Sequence, residues 1–316
     1  MTGLTGVPLI VVTEPIPAEP LAWLGERGEV VEAAPGGARF GGLLARAAGL
    51  VVRTHTRVDA AMLDAAPDLR VVGRAGVGVD NIDLEACKAR GVAVVHTPEA
   101  NTDAVVSYVW SWVLRTLRPV TVLDGAVSED RWHGLRREVE APRELSDLTL
   151  GVYGFGRIGS RVGRAGEAFG MHVIYHDLRE IEGANGAVAV SRDELLARAD
   201  VLTIHVDGRP GNRGLIDADA LGHLKGDAIL VNTSRGMVVD EPALAAFLGA
   251  HQRARALLDV HADEPVSAAS PLAGLANAEL SPHVAAATVP AKERMGWVVA
   301  DIWRVLEGHE PAFRVV

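Results

Sequence analysis

Short apolar runs alternate along the chain with stretches in which leucine, alanine and charged residues recur at helical spacing. Continuous apolar runs are typical of parallel strands buried on both faces, and their alternation with helices indicates βαβ units. The pattern therefore predicts an α/β protein with two doubly wound parallel sheets. The predicted strands are PLIVV (8–12), GLVVRT (49–54), LRVVGRAG (69–76), VAVVHTP (92–98), LTLGVYGFG (148–156), MHVIYHD (171–177), VLTIHV (201–206), AILVNTS (228–234) and ALLDVHA (256–262). The helices predicted between the later strands are RIGSRVGRAGEAFG (157–170), SRDELLARAD (191–200), DADALGHLKG (217–226) and DEPALAAFLGAHQ (240–252).

A longer helix is predicted over residues 102–124, between the two sets of strands. Its Trp110 and Trp112 are two positions apart, so they cannot share one face of the helix. A helix that is apolar on most sides is buried on most sides, which favours a central position for this segment. The polar, charge-rich stretch 131–147 contains Pro142 and is predicted to be a loop or linker.

Composition sets the broad class of the protein. The chain has 316 residues, of which 48% are hydrophobic and 34 are glycine, so about two globular domains are expected. The net charge is −10 and the arginines are interleaved with acids, which argues against a nucleic-acid partner. The single cysteine, Cys87, excludes an intrachain disulfide and is expected to be a small buried residue in a helix. No signal peptide and no apolar run of 18 residues is present, so a cytoplasmic protein without a membrane partner is expected.

The stretch GVYGFGRIGSRV carries Gly154, Gly156 and Gly159 in the spacing GxGxxG. It follows an apolar strand and opens a helix, which is the context in which such glycines bind a dinucleotide pyrophosphate at a helix N-terminus. Asp177 ends the next strand, 18 residues after the last glycine, where a carboxylate accepts hydrogen bonds from ribose hydroxyls. This arrangement favours NAD over NADP, although Arg179 close by weakens the preference. The alternative is a glycine-rich strand–helix turn that binds nothing.

Three further polar residues follow strand-like segments, in the order Arg235, Glu264 and His283. Arg235 and Glu264 come after predicted strands, and His283 comes after the short strand-like piece that opens AELSPHVA (278–285). Ligands of open α/β sheets bind at the carboxyl ends of strands, so these residues are candidates for one site. Taken singly, each also fits a structural role: Arg235 an ion pair, Glu264 a helix start before proline, and His283 a satisfied histidine among small apolar residues. The chain offers no comparable support for the other histidines, including His205.

Several blocks of the sequence resemble the D-isomer-specific 2-hydroxyacid dehydrogenase family, and in type most closely its phosphoglycerate dehydrogenases. The similarity runs from about residue 50 to about residue 290. The blocks that carry it are VVGRAGVGVDNIDLEACKARGVAVVHTPEANT, GVYGFGRIGSRV, ILVNTSRGMVVDEPALAAFL, LLDVHADEP and SPHVAAAT.

The resemblance implies two Rossmann-like domains, with an NAD-binding domain (101–285) inserted in a discontinuous substrate domain (1–100 and 286–316). It implies NAD as the cofactor, no metal, a small anionic 2-hydroxy or 2-keto acid as the substrate, and a homodimer formed through the cofactor domains. It also implies that Arg235, Glu264 and His283 are the catalytic residues.

The chemistry of hydride transfer suits these residue types. Oxidation of a 2-hydroxy acid needs a base for the hydroxyl proton, and histidine titrates in the required range. His283 would be that base, and the acid in the reverse reduction. Glu264 would fix its tautomer and stabilise the imidazolium, while the planar fork of Arg235 would bind the substrate carboxylate.

The resemblance carries further positions over to this chain. The expected cofactor-binding residues are Gly154, Gly156, Arg157, Ile158, Gly159, Asp177, Val206, Thr233, Ser234, Asp259 and Val77, with Asp259 at the nicotinamide carboxamide. The expected substrate-binding residues are Arg53, Arg74, Ala75, Gly76, Arg235 and His283.

Arg53 and Arg74 would give the site extra positive charge for a doubly anionic substrate, such as a phosphoglycerate or a hydroxy-phosphonate. The alternatives that stay open are a reductase of glyoxylate, hydroxypyruvate or another small 2-keto acid, and a non-catalytic NAD-sensing protein of the same fold.

The chain departs from the family pattern at positions close to the expected site. Ser107 stands in place of a glutamate, Asp207 in place of a proline, and His261 in place of a phenylalanine. The chain ends at Val316, soon after a predicted returning helix, so the C-terminal regulatory domain of longer phosphoglycerate dehydrogenases is not expected.

Overall fold

The structure is a computed structural model that describes residues 6–139, 141 and 143–316. The chain divides into two compact units, Met1–Thr102 with Ala286–Val316, and Asp103–Ala285. The first division lies two residues beyond the boundary expected at 100/101, and the second lies at the expected 285/286.

The first unit contains a five-stranded, all-parallel sheet in the order β2-β1-β3-β4-β5. Its strands are β1 (Leu9–Val12), β2 (Glu29–Glu32), β3 (Ala47–Val52), β4 (Val71–Arg74) and β5 (Ala93–His96). Its helices are α1 (Ala18–Gly25), α2 (Phe40–Leu44), α3 (Ala60–Asp64), α4 (Leu84–Ala89), α11 (Val289–Gly296) and α12 (Val298–Glu307). The strand β2 was not predicted, because a half-exposed edge strand of four residues flanked by glutamates lacks a continuous apolar run.

The second unit contains a seven-stranded parallel sheet in the order β12-β11-β10-β9-β6-β7-β8. Its strands are β6 (Thr149–Tyr153), β7 (His172–His176), β8 (Val188–Ala189), β9 (Val201–Ile204), β10 (Ile229–Asn232), β11 (Arg255–Leu258) and β12 (Ala278–Leu280). Its helices are α6 (Glu129–Glu138), α7 (Arg157–Ala168), α8 (Arg192–Arg198), α9 (Ala218–Gly222) and α10 (Glu241–Ala250), with α5 (Thr102–Leu117) entering it from the first unit. The prediction of two doubly wound parallel α/β domains is thus confirmed.

Two predictions between residues 102 and 147 are corrected by the structure. The long helix α5 ends at Leu117 instead of Asp124, because proline at 119 cannot continue a helix and disfavours helical geometry in the residue before it. The stretch 131–147 is not a simple loop: α6 covers most of its first half, and a 3₁₀ turn spans Leu145–Asp147. Ser128 caps the N-terminus of α6. The acidic residues in the first turn of α6 and the basic residues in its last turn complement the helix dipole. Pro142 lies outside the described residues.

The tryptophans of α5 are both buried, each in its own contact within the second unit. Trp110 donates to the carbonyl of Val162 at 3.2 Å, and Trp112 donates to Glu279 at 3.2 Å. In the first unit, Cys87 is fully buried, and burial, with the nearby charge of Asp83, raises the pKa of its thiol to about 11. The structural role expected for this cysteine is confirmed. Within the described residues, no helix has the length and hydropathy needed to cross a membrane.

Candidate active site

The three candidate catalytic residues follow three neighbouring strands of the second sheet. Arg235 comes three residues after β10, Glu264 six residues after β11, and His283 three residues after β12. Because these strands are adjacent and parallel, their carboxyl ends lie at one edge of the sheet. The fold therefore brings together side chains that are 29 and 19 residues apart in sequence.

The imidazole of His283 is paired with the carboxylate of Glu264. The distance from Nδ1 of His283 to Oε2 of Glu264 is 2.9 Å, and both side chains are partly exposed. The other carboxylate oxygen, Oε1, accepts the backbone N–H of His261 at 3.1 Å. Burial of Glu264 opposes its ionisation, but the hydrogen bonds from His283 and from the His261 backbone outweigh it and lower its pKa. An ionised Glu264 holds the proton of His283 on Nδ1 and directs Nε2 of the ring away from the pair.

The Arg235 loop is held by a buried amide. Asn232, the last residue of β10, accepts hydrogen bonds from the backbone and the hydroxyl of Ser234 and donates to the Arg235 carbonyl at 2.9 Å. The next residue, Gly236, lies against the chain at His261, where an added Cβ would come within 1.8 Å of the His261 carbonyl oxygen. Only glycine permits this close packing of the Arg235 loop against the loop that leads to Glu264.

Asp259 lies beneath the His283 loop and is 1% exposed. Its Oδ1 accepts hydrogen bonds from the Ser281 hydroxyl and, at 2.8 Å, from the N–H of Val284, while Oδ2 accepts the N–H of Ala285 at 2.8 Å. These bonds tie the end of β11 to the segment that carries His283. The contact of Asp259 with a nicotinamide carboxamide stays a prediction.

The glycine-rich turn joins β6 to α7 in the expected geometry. Gly154 has a φ of +89°, and a Cβ there would meet the carbonyl of His205 at 2.7 Å. A Cβ at Gly159 would meet the carbonyl of Gly154 at 2.0 Å, so both positions need glycine for internal packing. Gly156 is different, because the nearest atom to a Cβ there, within the described residues, is in the Arg179 guanidinium at 3.7 Å. A small residue at 156 instead keeps space open in front of the α7 N-terminus.

Asp177 follows β7 and faces the same turn. Its Oδ2 accepts the N–H of Phe155 at 2.8 Å, and the guanidinium of Arg179 binds both carboxylate oxygens, at 3.1 and 3.3 Å. Burial opposes ionisation of Asp177, but the bonds from Arg179 and Phe155 lower its pKa. The expected ribose-binding acid is therefore ionised and already paired with a cation.

A second ion pair lies near the first, at a position where the chain departs from the family pattern. Arg209 binds both carboxylate oxygens of Asp207, and this bond is the main cause of the lowered pKa of Asp207. The negative charge of Asp207 also helps to raise the pKa of Arg179, and the positive charge of Arg235 helps to lower the pKa of Asp207. Asp207 thus links the electrostatics of the Asp177 region to those of the Arg235 loop.

The remaining cofactor candidates of the second unit lie on the same edge of the sheet. Thr233 and Ser234 follow β10, Val206 follows β9, and Arg157 and Ile158 open α7. The hydroxyl oxygen of Thr233 is buried and makes no hydrogen bond within the described residues. An orphaned buried hydroxyl at a strand end is a group that a bound ligand would satisfy.

In the first unit, the predicted substrate residues lie at the ends of neighbouring strands: Arg53 follows β3, and Arg74 is the last residue of β4. The carboxylate of Glu14 accepts the backbone N–H groups of all four residues 53–56, and Asn81 donates to the carbonyls of Arg53 and Thr56. One arm of the Arg53 guanidinium donates to the carbonyl of Pro15 at 2.9 Å.

The guanidinium of Arg74 folds over the following turn. A Cβ at Gly76, where φ is +153°, would lie 1.4 Å from its Nη1, so glycine is required there. Ala75 is buried, and the carbonyl of Val77 accepts a hydrogen bond from His96 at 2.7 Å. The structure thus gives both arginines a fixed backbone, and their contact with a substrate stays a prediction.

Four residues that hold these loops were missed from the sequence: Glu14, Asn232, Tyr108 and Ser281. Glu14 lies two residues after the first apolar run and Asn232 directly follows the apolar residues 228–231, and a polar residue just after such a run is a signal that was available. Tyr108 gave no such signal, since its partner Ser281 lies 173 residues away. Across the described residues, no cluster of three or more metal-binding side chains is present.

Comparison with known proteins places these features in a family. Residues 110–285 match the family described as D-isomer specific 2-hydroxyacid dehydrogenase, NAD binding domain. The chain is 38% identical over 305 residues to D-3-phosphoglycerate dehydrogenase of Mycobacterium bovis, an alignment that covers 95% of this chain and 57% of that protein. The chain therefore spans little more than half the length of this relative.

Two shorter relatives carry other substrate names. The chain is 38% identical to (S)-sulfolactate dehydrogenase of Chromohalobacter salexigens, covering 82% of this chain and 85% of that protein. It is 40% identical to glyoxylate reductase of Aeropyrum pernix, covering 78% of this chain and 75% of that protein.

Solved structures of other proteins superpose on nearly the whole length of this chain. The TT0316 protein of Thermus thermophilus superposes with a TM-score of 0.83 at 34% identity, over 98% of this chain and all of that one. D-lactate dehydrogenase of Aquifex aeolicus, solved with NAD and lactic acid, gives 0.81 at 28% identity over 95% of this chain and 96% of that one.

Proposed function

Since this chain belongs to the D-isomer-specific 2-hydroxyacid dehydrogenase family, we propose that it transfers a hydride between C2 of a small anionic 2-hydroxy acid and NAD. The observation that carries the proposal is the Glu264–His283 pair, at the carboxyl ends of β11 and β12 in the unit that holds the glycine-rich turn. A structural ion pair has no need of this position, whereas an acid–base pair for a ligand at the sheet edge does.

The residues present fit an NAD molecule. Gly156 leaves space before the α7 N-terminus, the buried hydroxyl of Thr233 lacks a partner within the described residues, and Asp177 is ionised at the end of β7. The turn around Gly154 would hold the pyrophosphate and Asp177 the adenosine ribose. When bound, NAD supplies the hydride acceptor, and the protein supplies binding and orientation.

The proton chemistry falls to the protein's own residues. In oxidation, Nε2 of His283 would take the proton of the C2 hydroxyl while the Nδ1 proton stays bonded to Glu264. The carboxylate of Glu264 would stabilise the imidazolium that forms. Arg235 would bind the substrate carboxylate through its planar fork and so orient C2.

For the substrate, we propose a 2-hydroxy acid with a second strong anion, a phosphate, sulfonate or phosphonate. Arg53 and Arg74 lie at the carboxyl ends of adjacent strands, and their backbones are fixed by Glu14, Asn81 and the turn at Gly76. Two of the three relatives described above are named for substrates that carry such a group, a phosphate in one and a sulfonate in the other.

A second candidate is a glyoxylate or hydroxypyruvate type of reductase. The relative named glyoxylate reductase favours it, as does the bond from the Arg53 guanidinium to Pro15, which uses one of its donors. A third, non-catalytic NAD-sensing role is the weakest, because a sensor has no use for the intact set of Arg235, Glu264 and His283.

The test is NADH oxidation by the purified full chain, followed by absorbance, with phosphorylated, sulfonated, phosphono and unsubstituted 2-keto acids. We expect turnover with the doubly anionic acids, and His283→Ala should reduce it by about 10³-fold while NADH still binds. Arg74→Gln should act only on the doubly anionic substrates. Equal loss on glyoxylate would remove the support for a second anion site, and NADH binding without turnover on any acid would favour the sensor.

We further propose that a second copy of this chain binds the segment 118–139 of the NAD-binding unit. Val120 and Val122 are 85% and 81% exposed, and Leu123, Trp132 and Val139 in the same segment are exposed as well. So many exposed apolar residues in one short segment are unusual for a monomer surface. Light scattering should show a dimer that Val122→Asp dissociates, while Val188→Asp on the exposed strand β8, the matched control, leaves it intact.

A further inference from the structure

The backbone at His283 is in an unusual conformation. Its φ of +54° lies in the left-handed region. That conformation costs a residue with a side chain free energy, so it is kept only where the surrounding contacts enforce it. A hydrogen bond from the N–H of His283 to the carbonyl of Ser281, at 3.0 Å, closes a tight turn around Pro282. The direction of the His283 ring therefore depends on how firmly Ser281 is held.

Every polar atom of Ser281 has a partner. Its N–H donates to the carbonyl of Leu258 at 2.9 Å, and its hydroxyl donates to the buried carboxylate of Asp259. The same hydroxyl accepts the phenol O–H of Tyr108 from helix α5, at 2.8 Å. Its carbonyl accepts a second hydrogen bond, from the ring of His261, at 2.8 Å.

The tautomer of His261 follows from this contact. A carbonyl oxygen has no proton to give, so Nε2 of His261 carries the proton and is the donor. His261 is 7% exposed, and its backbone N–H donates to Glu264. One residue thus contacts both members of the pair, the Glu264 carboxylate directly and His283 through the turn at Ser281.

We propose that His261 and Tyr108 are positioning residues, which fix the left-handed backbone at His283 by holding the carbonyl and the hydroxyl of Ser281. The inference rests on the proposed acid–base role of His283. A phenylalanine at 261 would fill the same volume without a donor, so the hydrogen bond, and not the bulk of the ring, is what this histidine adds. Tyr108 contributes the hydrogen bond from its hydroxyl to Ser281. Its ring is held in place by edge-on packing against Trp112, with 5.1 Å between the ring centroids.

Three variants distinguish the effect of the hydrogen-bond donors to Ser281 from the effect of side-chain volume. His261→Phe keeps an aromatic ring and removes the donor. His261→Gln restores an N–H at the same number of bonds from Cα, and Tyr108→Phe removes one hydroxyl and nothing else. His223→Phe, at a half-exposed site beyond α9, is the matched control.

We expect His261→Phe to lower kcat for 2-keto acid reduction by about tenfold, the worth of one hydrogen bond. KM for the acid and the NADH affinity from fluorescence titration should change little, because neither Arg235 nor the glycine-rich turn is altered. His261→Gln should recover most of kcat, and Tyr108→Phe should fall between the two. The control should match the wild type.

Amide hydrogen exchange gives a readout that needs no turnover. The N–H groups of Val284 and Ala285, bonded to Asp259, should exchange about tenfold faster in His261→Phe and recover in His261→Gln. The proposal is overturned if His261→Phe keeps wild-type kcat and exchange, or if His261→Gln is as impaired as His261→Phe. If His261→Phe does not fold, Tyr108→Phe alone decides between the same two results. If no acid supports turnover in the wild type, the proposed function fails, while the exchange comparison still tests the positioning of this turn.

Discussion

Replacing Glu264 by glutamine would test the role of the Glu264–His283 pair with the loss of one charge and almost no change in shape. In the native site, Oε2 of Glu264 accepts the Nδ1 proton of His283 and Oε1 accepts the backbone N–H of His261. Glutamine has one oxygen and one NH₂ group, so it satisfies only one of these donors. If its oxygen faces His283, its NH₂ opposes the N–H of His261. If it flips, its NH₂ donates to Nδ1 and moves the ring proton to Nε2. That atom must be free to take the hydroxyl proton in oxidation and must be left unprotonated after it gives the proton in reduction.

The magnitude follows from this choice and from the exposure of the pair. Forcing the wrong tautomer in a buried acid–histidine pair costs about 10⁴-fold in turnover. The side chains of Glu264 and His283 are 36% and 42% exposed, so water replaces part of what the carboxylate supplies. We therefore expect kcat/KM to fall by about 10²- to 10³-fold, or about 3–4 kcal/mol of transition-state stabilisation.

The assay is NADH oxidation with the best 2-keto acid, combined with ¹⁵N NMR of the imidazole to identify the protonated ring nitrogen. Asp263→Asn, at the exposed neighbouring acid, is the matched control and should keep wild-type turnover. NADH affinity should be unchanged in both variants. Wild-type kcat/KM in Glu264→Gln, together with a proton still on Nδ1, would refute the role assigned to this carboxylate.

Three other outcomes are expected. Gly156→Val should weaken NADH binding by at least about tenfold with an unchanged melting temperature, because among the described residues only Arg179 comes within 4 Å of a Cβ at this position; equal affinity would separate this turn from cofactor binding. Arg179→Ala frees the Asp177 carboxylate and should raise the kcat/KM preference for NADH over NADPH, whereas an unchanged ratio would exclude that ion pair from cofactor selection. Burial raises the pKa of Glu14, but the backbone hydrogen bonds to its carboxylate lower that pKa by more, so its native pKa lies below its ordinary value of 4.5. The stability that Glu14 contributes is therefore present above pH 4.5 and is lost as the pH falls through the lower native pKa. In urea unfolding, Glu14→Gln should cost about 1–3 kcal/mol at pH 7 and progressively less below pH 4, and a cost independent of pH would contradict this assignment.

Much of the fold was readable from local patterns. Buried parallel strands appear in the sequence as apolar runs, and each of the nine predicted runs overlaps a strand of one of the two sheets. The exceptions have local causes. The edge strands β2 and β8 were both missed, because β2 is half exposed and β8 is an exposed pair of residues, so each leaves a weak apolar signal. The helix α6 has a charge pattern that resembles a loop until its Ser128 cap is recognised.

The candidate catalytic residues could also be found from the sequence by itself, because Arg235, Glu264 and His283 each come after a strand-like segment. What it could not contain is the order of strands in the sheet, which sets β10, β11 and β12 side by side. Nor could it show that Asp259 and Ser281 are held together beneath the His283 loop, or that Tyr108 reaches Ser281 across 173 residues. Hydrophobic periodicity reports how each segment is buried, because that depends on its own residues. Hydrogen bonds between distant loops depend on which segments meet, and that is settled only when the whole sheet has formed.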